Sequence, residues 1–479
     1  MPKTTITLYG GVNEIGGNKV AIRDRDTQIM LDFGATFNPV NYDKYFVEWL
    51  EPRDRFGLKD YFFFDMVPRI PGLYSQEALE RTDMKYTKPQ FQGVFLSHVH
   101  FDHASQISWV DPKIPVHVGK GTKLILDSIE AVGGSLASYG EHDYTTFRTG
   151  SKVKIDDLEV VPIHVDHSVP AAYGYIVHTS EGPVAYTGDV RLHGPHAQMT
   201  RDFIEAAAGE TPIAMVCEGT RVAPQDTRQN MTEAQVKAGA KAAVAKCKKR
   251  VITTFYPRDV DRMRTFYQVA KETGRSFVVS AKTAHLLKTL AADSRIDVPD
   301  VLGDPEVMVY FREMARPYKW ETELAGQVNA VGSDYIRKNQ SKVVLQLGFY
   351  QFTELIDILP EPGSLFIHSM SEPFEDGDVE EEVKMNWIKR FGLNCMQLHA
   401  SGHAAMGEIF EMVDRICPKT LVPIHTEHPT LFKKTGKQVE LPDLGRPVGI
   451  HRCPGSASGP SHGAGGRRGH GTPPRGRAG

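Results

Sequence analysis

Short alternating runs of apolar and polar residues fill the first part of the chain. Runs rich in Val, Ile and Tyr, interrupted by Gly or Asp, predict strands at residues 4–8, 19–23, 28–32, 92–96, 116–118, 158–163, 173–178 and 184–187. Past the apolar run at 214–217 the rhythm changes to alternating helices and strands. Thr232 with Gln235 three residues later forms a capping box and opens a helix to about Lys249. Strands at 251–255, 276–280, 342–347 and 364–367 follow, separated by helical stretches. Near Asn394 the pattern returns to strand–helix–strand, ending at Ile424-His425. This layout predicts an α/β protein in which one domain interrupts another. Residues 1–210 and 392–451 make the host, and residues 211–391 the insertion. Between Phe37 and Pro89 lies a long aromatic and charged segment. A structureless loop of that length is uncommon in a compact domain, so it is expected to fold over the core.

Composition adds limits. At 53.3 kDa the chain is too long for one ordinary core, and 41% apolar with 24% charged residues is the balance of a soluble globular protein. Cys217, Cys247, Cys395, Cys417 and Cys453 are scattered without a CxxC, which fits reduced thiols in a cytoplasm. The N-terminus has no signal-peptide pattern, and no run of eighteen apolar residues exists, so no membrane association is expected. Residues 452–479 are Gly, Pro, Ser, His and Arg with no acid, and read as a disordered basic tail. A formal charge of -3 does not itself point to nucleic acid, although a groove can be basic on an acidic protein.

The candidate chemistry begins at His98-Val99-His100-Phe101-Asp102-His103, directly after an apolar run. His98 and His100, two apart on extended backbone, point the same way and can share one metal ion. Asp102 and His103, past the bend, can reach a second. Asp189 ends a predicted strand after Gly188, where a carboxylate can bridge two cations. His167 can complete the first ion; His164 competes with it, and spacing does not choose. Asp32, at another strand end, is placed to orient a ligand. The pattern is that of a metal-dependent hydrolase holding two zinc ions, with Mn²⁺ or Mg²⁺ as the other candidates. Two such ions lower the pKa of a shared water and give hydroxide near neutral pH.

The Asp32 strand end, the HxHxDH loop, His167 and Asp189, in this order, resemble the metallo-β-lactamase superfamily. The resemblance implies an αββα sandwich and selects His167 over His164. It puts His98, His100 and His167 on the first metal, Asp102 and His103 on the second, and Asp189 between them. Glu218 in Glu218-Gly219-Thr220, His403 in Ser401-Gly402-His403 and the strand-end His425 resemble the three further motifs of the β-CASP nucleases. Gly10-Gly11-Val12-Asn13-Glu14-Ile15-Gly16-Gly17-Asn18 is similar to the start of the ribonuclease J group. By resemblance the insertion is an α/β β-CASP domain, His425 is the remaining ligand of the second metal and His403 contacts the scissile phosphate, with Glu218 orienting it. Catalytic roles thus fall on Asp32, Asp102, Asp189, Glu218 and His403. Three departures stand out: the acidic motif is Glu-Gly-Thr rather than Asp-Ser-Thr, the segment after Asp32 is long, and only the basic tail follows residue 451.

The implied activity is hydrolysis of RNA phosphodiester bonds, as a 5′-to-3′ exonuclease, an endonuclease or both, by a cytoplasmic protein that can form a homodimer. Arg258 and Arg262, Lys282, and Ser369 with Ser371 follow predicted strands and are candidate phosphate contacts beside His403. Tyr61-Phe62-Phe63-Phe64 can stack bases or pack as core. Two other readings compete: a hydrolase of a small thioester or lactone on the same scaffold, and an RNA-binding member that has lost its metals.

Overall fold

The described residues form three seven-stranded sheets, which take in the predicted strands together with several the pattern did not mark. The computed structural model describes residues 3–37, 45–46, 50–133, 139–224, 226, 230–371 and 378–451. The expected tail at 452–479 lies outside the described residues.

The first sheet runs, in spatial order, Val448–Ile450, Thr4–Gly10, Lys19–Asp24, Thr27–Leu31, Gly93–Leu96, Val116–Gly119 and Tyr144–Phe147. The second runs Gln438–Val439, Thr420–Ile424, Ala214–Glu218, Gly182–Tyr186, Ala172–Thr179, Leu158–Val165 and Val153–Ile155. Their inner faces meet in one core, where Ile6, Val20, Ile29 and Phe95 pack with Val160, Tyr175, Val184 and Val422. Helices cover both outer faces. Helix Lys120–Ala131 covers the first sheet through Ile125 and Leu126. Helices Ala197–Glu210 and Met406–Ile416 cover the second. The latter buries Ile409, Met412, Val413 and Ile416, the spacing of one helical face. This is the expected αββα sandwich.

From residue 50 on, the segment after Phe37 folds over the sandwich. Its short helices Lys59–Phe63 and Gln76–Leu79 bury Leu58, Phe62, Leu73 and Tyr74 against the outer face of the first sheet. In the aromatic run, Phe62 is core at 3% exposed, whereas Phe63 is 78% exposed.

The third sheet is wholly parallel and runs Ala330–Val331, Val307–Tyr310, Ser276–Ser280, Val343–Gln346, Val251–Thr254, Leu365–His368 and Asn394–Gln397. Apolar residues fill both its faces, as a parallel sheet covered by helices requires. Thr232 caps helix Glu233–Lys246 with the full capping box, and the helix ends three residues before the expected Lys249. The excursion into this sheet begins and ends one strand later than the 211–391 span. Ala214–Glu218 pairs in parallel with Gly182–Tyr186 and Thr420–Ile424 in the sandwich, while Asn394–Gln397 pairs with Leu365–His368 in the insertion.

Parallel pairing fixes where the chemistry sits. Leu31 is opposite Phe95, Tyr186 opposite Val216 and Glu218 opposite Ile424. The C-terminal ends of these strands therefore deliver Asp32, the His98–His103 loop, Asp189, Glu218 and His425 to one edge of the sandwich. The loop is laced to the strand end beside it: Phe33 N–H donates to His103 O at 2.7 Å and Asn18 N–H to Asp102 O at 2.9 Å. Gly34 sits against that backbone, and a Cβ there would lie 2.0 Å from the Asp102 carbonyl carbon and 2.1 Å from His103 N. Gly34→Ala is therefore expected to destabilise the protein by about 1–3 kcal/mol, the usual range for overpacking. A lowered urea midpoint would register this; an unchanged midpoint would mean the metal-loop backbone gives way freely.

Candidate metal centre

Three groups of potential ligands meet at Asp189. His98, His100, His167 and Asp189 form one, Asp102, His103, Asp189 and His425 a second, and Asp189 with Glu218 and His403 a smaller third, with the ligating atoms of each within 4.8 Å of one another. In the first group, His100 Nδ1 lies 3.0 Å from both His98 Nε2 and His167 Nε2. In the second, Asp102 Oδ2 lies 2.7 Å from His425 Nε2 and 3.5 Å from His103 Nε2. Asp189 Oδ2 stands 3.7 Å from His98 and His167, and 3.1 Å from His103. Asp32 and His425 themselves adopt left-handed backbone, at φ of 57° and 56°, a conformation uncommon outside glycine but one that Asp and His enter more readily than most residues.

Hydrogen bonds on the far side of each ring decide which nitrogen faces inward. Asp32 is fully buried and accepts from Ser97 N–H, Ser97 Oγ, Tyr186 OH and His103 Nδ1. Its oxygens only accept, so His103 donates from Nδ1 and Nε2 is the nitrogen that faces the centre. Ser97 Oγ, whose proton goes to Asp32, similarly faces His98 Nδ1 at 3.0 Å. His167 Nδ1 donates to the Gly402 carbonyl at 2.6 Å. Each of these rings is left with Nε2 free to ligate.

Burial and charge pull the imidazoles apart. Burial holds His98 and His167 well below the ordinary histidine pKa and lowers His100 to about 4, so these three are neutral. Burial opposes the charged form of His103 and His425 as well, but neighbouring carboxylates prevail. Asp189, Asp102 and Asp32 raise His103 well above its ordinary value, and Asp189 with Asp102 raises His425 to about 9. Against its own burial, Asp189 is held well below the usual carboxylate range by His103, His425 and His403. Its Oδ1 is buried with no hydrogen-bond partner. An orphaned carboxylate oxygen beside three neutral rings with inward lone pairs fits a divalent cation.

The other expected residues separate into several positions. His403 lies beside the centre, with Nδ1 3.3 Å from both Glu218 oxygens and 3.9 Å from Asp189 Oδ2. Glu218 Oε1 also accepts from Val190 N–H at 2.8 Å. His164 is outside all three groups and stacks on Tyr173, ring centroids 4.8 Å apart. Arg258 and Lys282 line a cleft of about 630 Å³ that has His100 on its wall and Tyr256, Tyr310 and Tyr350 around it. Ser371 bonds Tyr256 OH at 2.9 Å, near the same cleft. Ser369 and Arg262 depart from expectation. Ser369 is 1% exposed, with its hydroxyl committed to Leu398 O and to Arg262. Arg262 is fully buried on Glu233 at 2.8 Å. Both are internal struts, because the strand and helix carrying them turn these side chains into the domain.

Sequence reading passed over Ser97, Asn18, Tyr186 and Thr220. Asn18 Nδ2 lies 3.0 Å from His103 Nε2. Adjacency to His98 and the end of the Gly-rich opening were available signals for the first two. Nothing local marks Tyr186, which reaches Asp32 across 154 positions at 2.6 Å.

Comparison with known proteins agrees with this geometry. Residues 62–255 match the beta-lactamase superfamily domain, and residues 394–440 match the Zn-dependent metallo-hydrolase RNA specificity domain. Ribonuclease J of Sinorhizobium meliloti is 23% identical over 405 residues, 79% of this chain and 65% of that protein. Ribonuclease J of Mycoplasma pneumoniae is 22% identical over 89% of this chain and 68% of its own length. Ribonuclease J2 of Bacillus subtilis is 23% identical over 88% and 69%. The chain thus spans about two thirds of the length of these relatives. A crystal structure of a protein of unknown function from Enterococcus faecalis superposes with a TM-score of 0.76 at 25% identity, covering 93% of this chain and 99% of that one. No helix among the described residues is long and apolar enough to cross a membrane. The αββα sandwich, the parallel-sheet insertion and the shared-aspartate centre accord with these matches: the chain carries a beta-lactamase superfamily domain and an RNA specificity domain, an arrangement consistent with the β-CASP nucleases.

Proposed function

We propose that this protein is a two-metal ribonuclease of the ribonuclease J kind. Asp189 carries the reading. One buried carboxylate belongs to both four-residue ligand groups and sits beside a cleft lined by cations and aromatic rings. His98, His100 and His167 would hold one ion, Asp102, His103 and His425 the other, and Asp189 both. Imidazole-rich sets of this kind suit zinc, with manganese as the substitute. When bound, the two ions supply an acidified water and neutralise charge that builds on a phosphate.

The chain's own residues do the rest. Burial opposes charge on His403, but Glu218 and Asp189 outweigh it and raise its pKa, which favours the protonated ring. Glu218 holds Nδ1, leaving the opposite nitrogen to donate to a non-bridging phosphate oxygen. Arg258 and Lys282 would position the RNA backbone along the cleft, and Ser371 with Tyr256 its rim. The RNA specificity match and the relatives' names support RNA as the polymer. A small thioester or lactone would need neither this inserted wall nor its cations. Among the described residues all four cysteines are free, which supports a reducing, cytoplasmic setting. A homodimer belongs to the same proposal and is read by light scattering.

The deciding assay uses RNA with a labelled 5′-monophosphate end, with zinc or manganese and with chelator. Chelator-sensitive release of a labelled mononucleotide is the result expected of a 5′-to-3′ exonuclease, and longer labelled fragments are expected of endonucleolytic cutting. No cleavage by the metal-loaded protein would overturn the assignment. Asp189→Asn or His103→Ala should lose metal and abolish cleavage with the circular dichroism spectrum unchanged. His403→Ala should lower kcat by about 10²–10³, the cost typical of a lost oxyanion donor, with both metals retained. Metal uptake should also release protons. Metal-free His425 is charged below about pH 9, whereas a ligating imidazole is neutral. Release, measured by calorimetry in buffers of different ionisation enthalpy, is therefore expected at pH 7 and should diminish as pH rises through about 9.

A further inference from the structure

Thr220 has no assigned role, yet its hydroxyl stands between two parts of the site. We propose that Thr220 is a positioning residue that fixes His425 as a ligand of the second metal and couples it, through Glu218, to His403. This rests on the two-metal reading above.

The direction of each hydrogen bond follows from chemistry. Thr220 Oγ1 lies 2.7 Å from Glu218 Oε2 and 2.9 Å from His425 Nδ1. A carboxylate oxygen only accepts, so the Thr220 proton goes to Glu218 and the hydroxyl lone pair faces His425. His425 must then donate from Nδ1. Its Nε2 faces Asp102, to which it donates at 2.7 Å in the metal-free protein, and Asp189. This is the nitrogen a cation would take once its proton has left. Thr220 thus does for His425 what Asp32 does for His103 and the Gly402 carbonyl for His167. Its backbone N–H also donates to Glu218 Oε2, at 3.2 Å, so main chain and side chain together hold that carboxylate. The same carboxylate bonds His403 Nδ1. One acid therefore orders the phosphate-facing imidazole directly and the metal-facing one through a hydroxyl.

Two local features bear on the arrangement. His425 has left-handed backbone, so its ring leaves the strand end at the turn rather than along the strand. Gly219, where the related motif has Ser, packs beneath Phe432: a Cβ would lie 2.7 Å from the ring and 3.0 Å from Thr426 Cβ. With Gly219 closed in, Glu218 and Thr220 flank the turn, and the longer Glu side chain reaches both partners.

The test compares full-length wild type with Thr220→Val, which keeps the shape, and Thr220→Ser, which keeps the hydroxyl. Zinc is titrated against a competing chelator, and the His425 Nδ1–H is followed by NMR of isotope-labelled histidine. Thr220→Val should weaken the second zinc equivalent by about 10–100-fold, the usual loss when an outer hydrogen bond to a ligand is removed, and leave the first unchanged. It should also remove the protected Nδ1–H signal, and Thr220→Ser should restore both. Wild-type zinc binding by Thr220→Val, or a Thr220→Ser protein that behaves like it, would overturn the proposal. Should Thr220→Val fail to fold, the wild-type spectrum decides, since a zinc-loaded His425 without Nδ1–H refutes it. If wild type binds fewer than two zinc equivalents, the two-metal reading fails; the Nδ1–H signal of the metal-free protein still decides for or against Thr220.

Discussion

The Asp189 side chain is buried at the meeting point of five imidazoles. Its Oδ2 is no farther than 3.9 Å from His98, His103, His167, His403 and His425. A carboxylate removed from water costs several kcal/mol unless charge or hydrogen bonds offset the loss. Here the offset comes from His103 and His425, whose pKa values Asp189 itself helps to raise, while Oδ1 is left for a cation. The strands around it follow from that demand. Gly182–Tyr186 delivers Asp189, its parallel neighbour Ala214–Glu218 brings Glu218 to the same edge, and the next parallel strand, Thr420–Ile424, brings His425.

The insertion is held to this centre by buried charge. Arg191, two residues past Asp189 and fully buried, pairs with Asp166 at 2.9 Å and with Asp261 at 2.5 Å. Asp166 precedes the ligand His167, and Asp261 lies in the first turn of helix Val260–Glu272 of the insertion. Arg262 beside it pairs with Glu233 and donates to the Ala400 carbonyl, just before the Ser401-Gly402-His403 turn. Such pairs do little for net stability, because desolvation offsets attraction, but each fixes geometry. They align the cleft wall that carries Arg258 and Lys282 with the metal-facing rings.

Much of this was legible in the sequence where the signal is local. His98, His100, Asp102 and His103 fall within six residues, and Asp32, Asp189 and His425 end apolar runs. The insertion showed as a change of rhythm, but its limits slipped by a strand because Ala214–Glu218 and Asn394–Gln397 differ only in which sheet they join. Asn394–Gln397 is exposed throughout, so no burial pattern marks it. Edge strand Tyr144–Phe147, exposed at Thr145 and Thr146, escaped for the same reason. Ser369 and Arg262 were misplaced because a hydroxyl or guanidinium after a strand reads alike whether it faces a cleft or a buried Glu233. The contacts of Tyr186 and Thr220 had no local signal, since their partners lie 154 and 205 positions away, although Thr220 itself falls in the Glu-Gly-Thr motif.

Those distant partners explain why so small a site needs so large a fold. Four rings expose Nε2 to the centre, and each far nitrogen is held by a different piece of chain. Ser97 holds His98, Asp32 holds His103, Gly402 holds His167 and Thr220 holds His425. A neutral imidazole on a flexible loop would sample both tautomers and many rotations, and ligating a metal would then cost ordering free energy at every ring. Here the first and second sheets and the segment returning from the insertion each set part of that order before any ion arrives. His100 is the exception. It faces the centre through Nδ1 and lines the cleft, so it joins the metal centre to the groove where a substrate would lie.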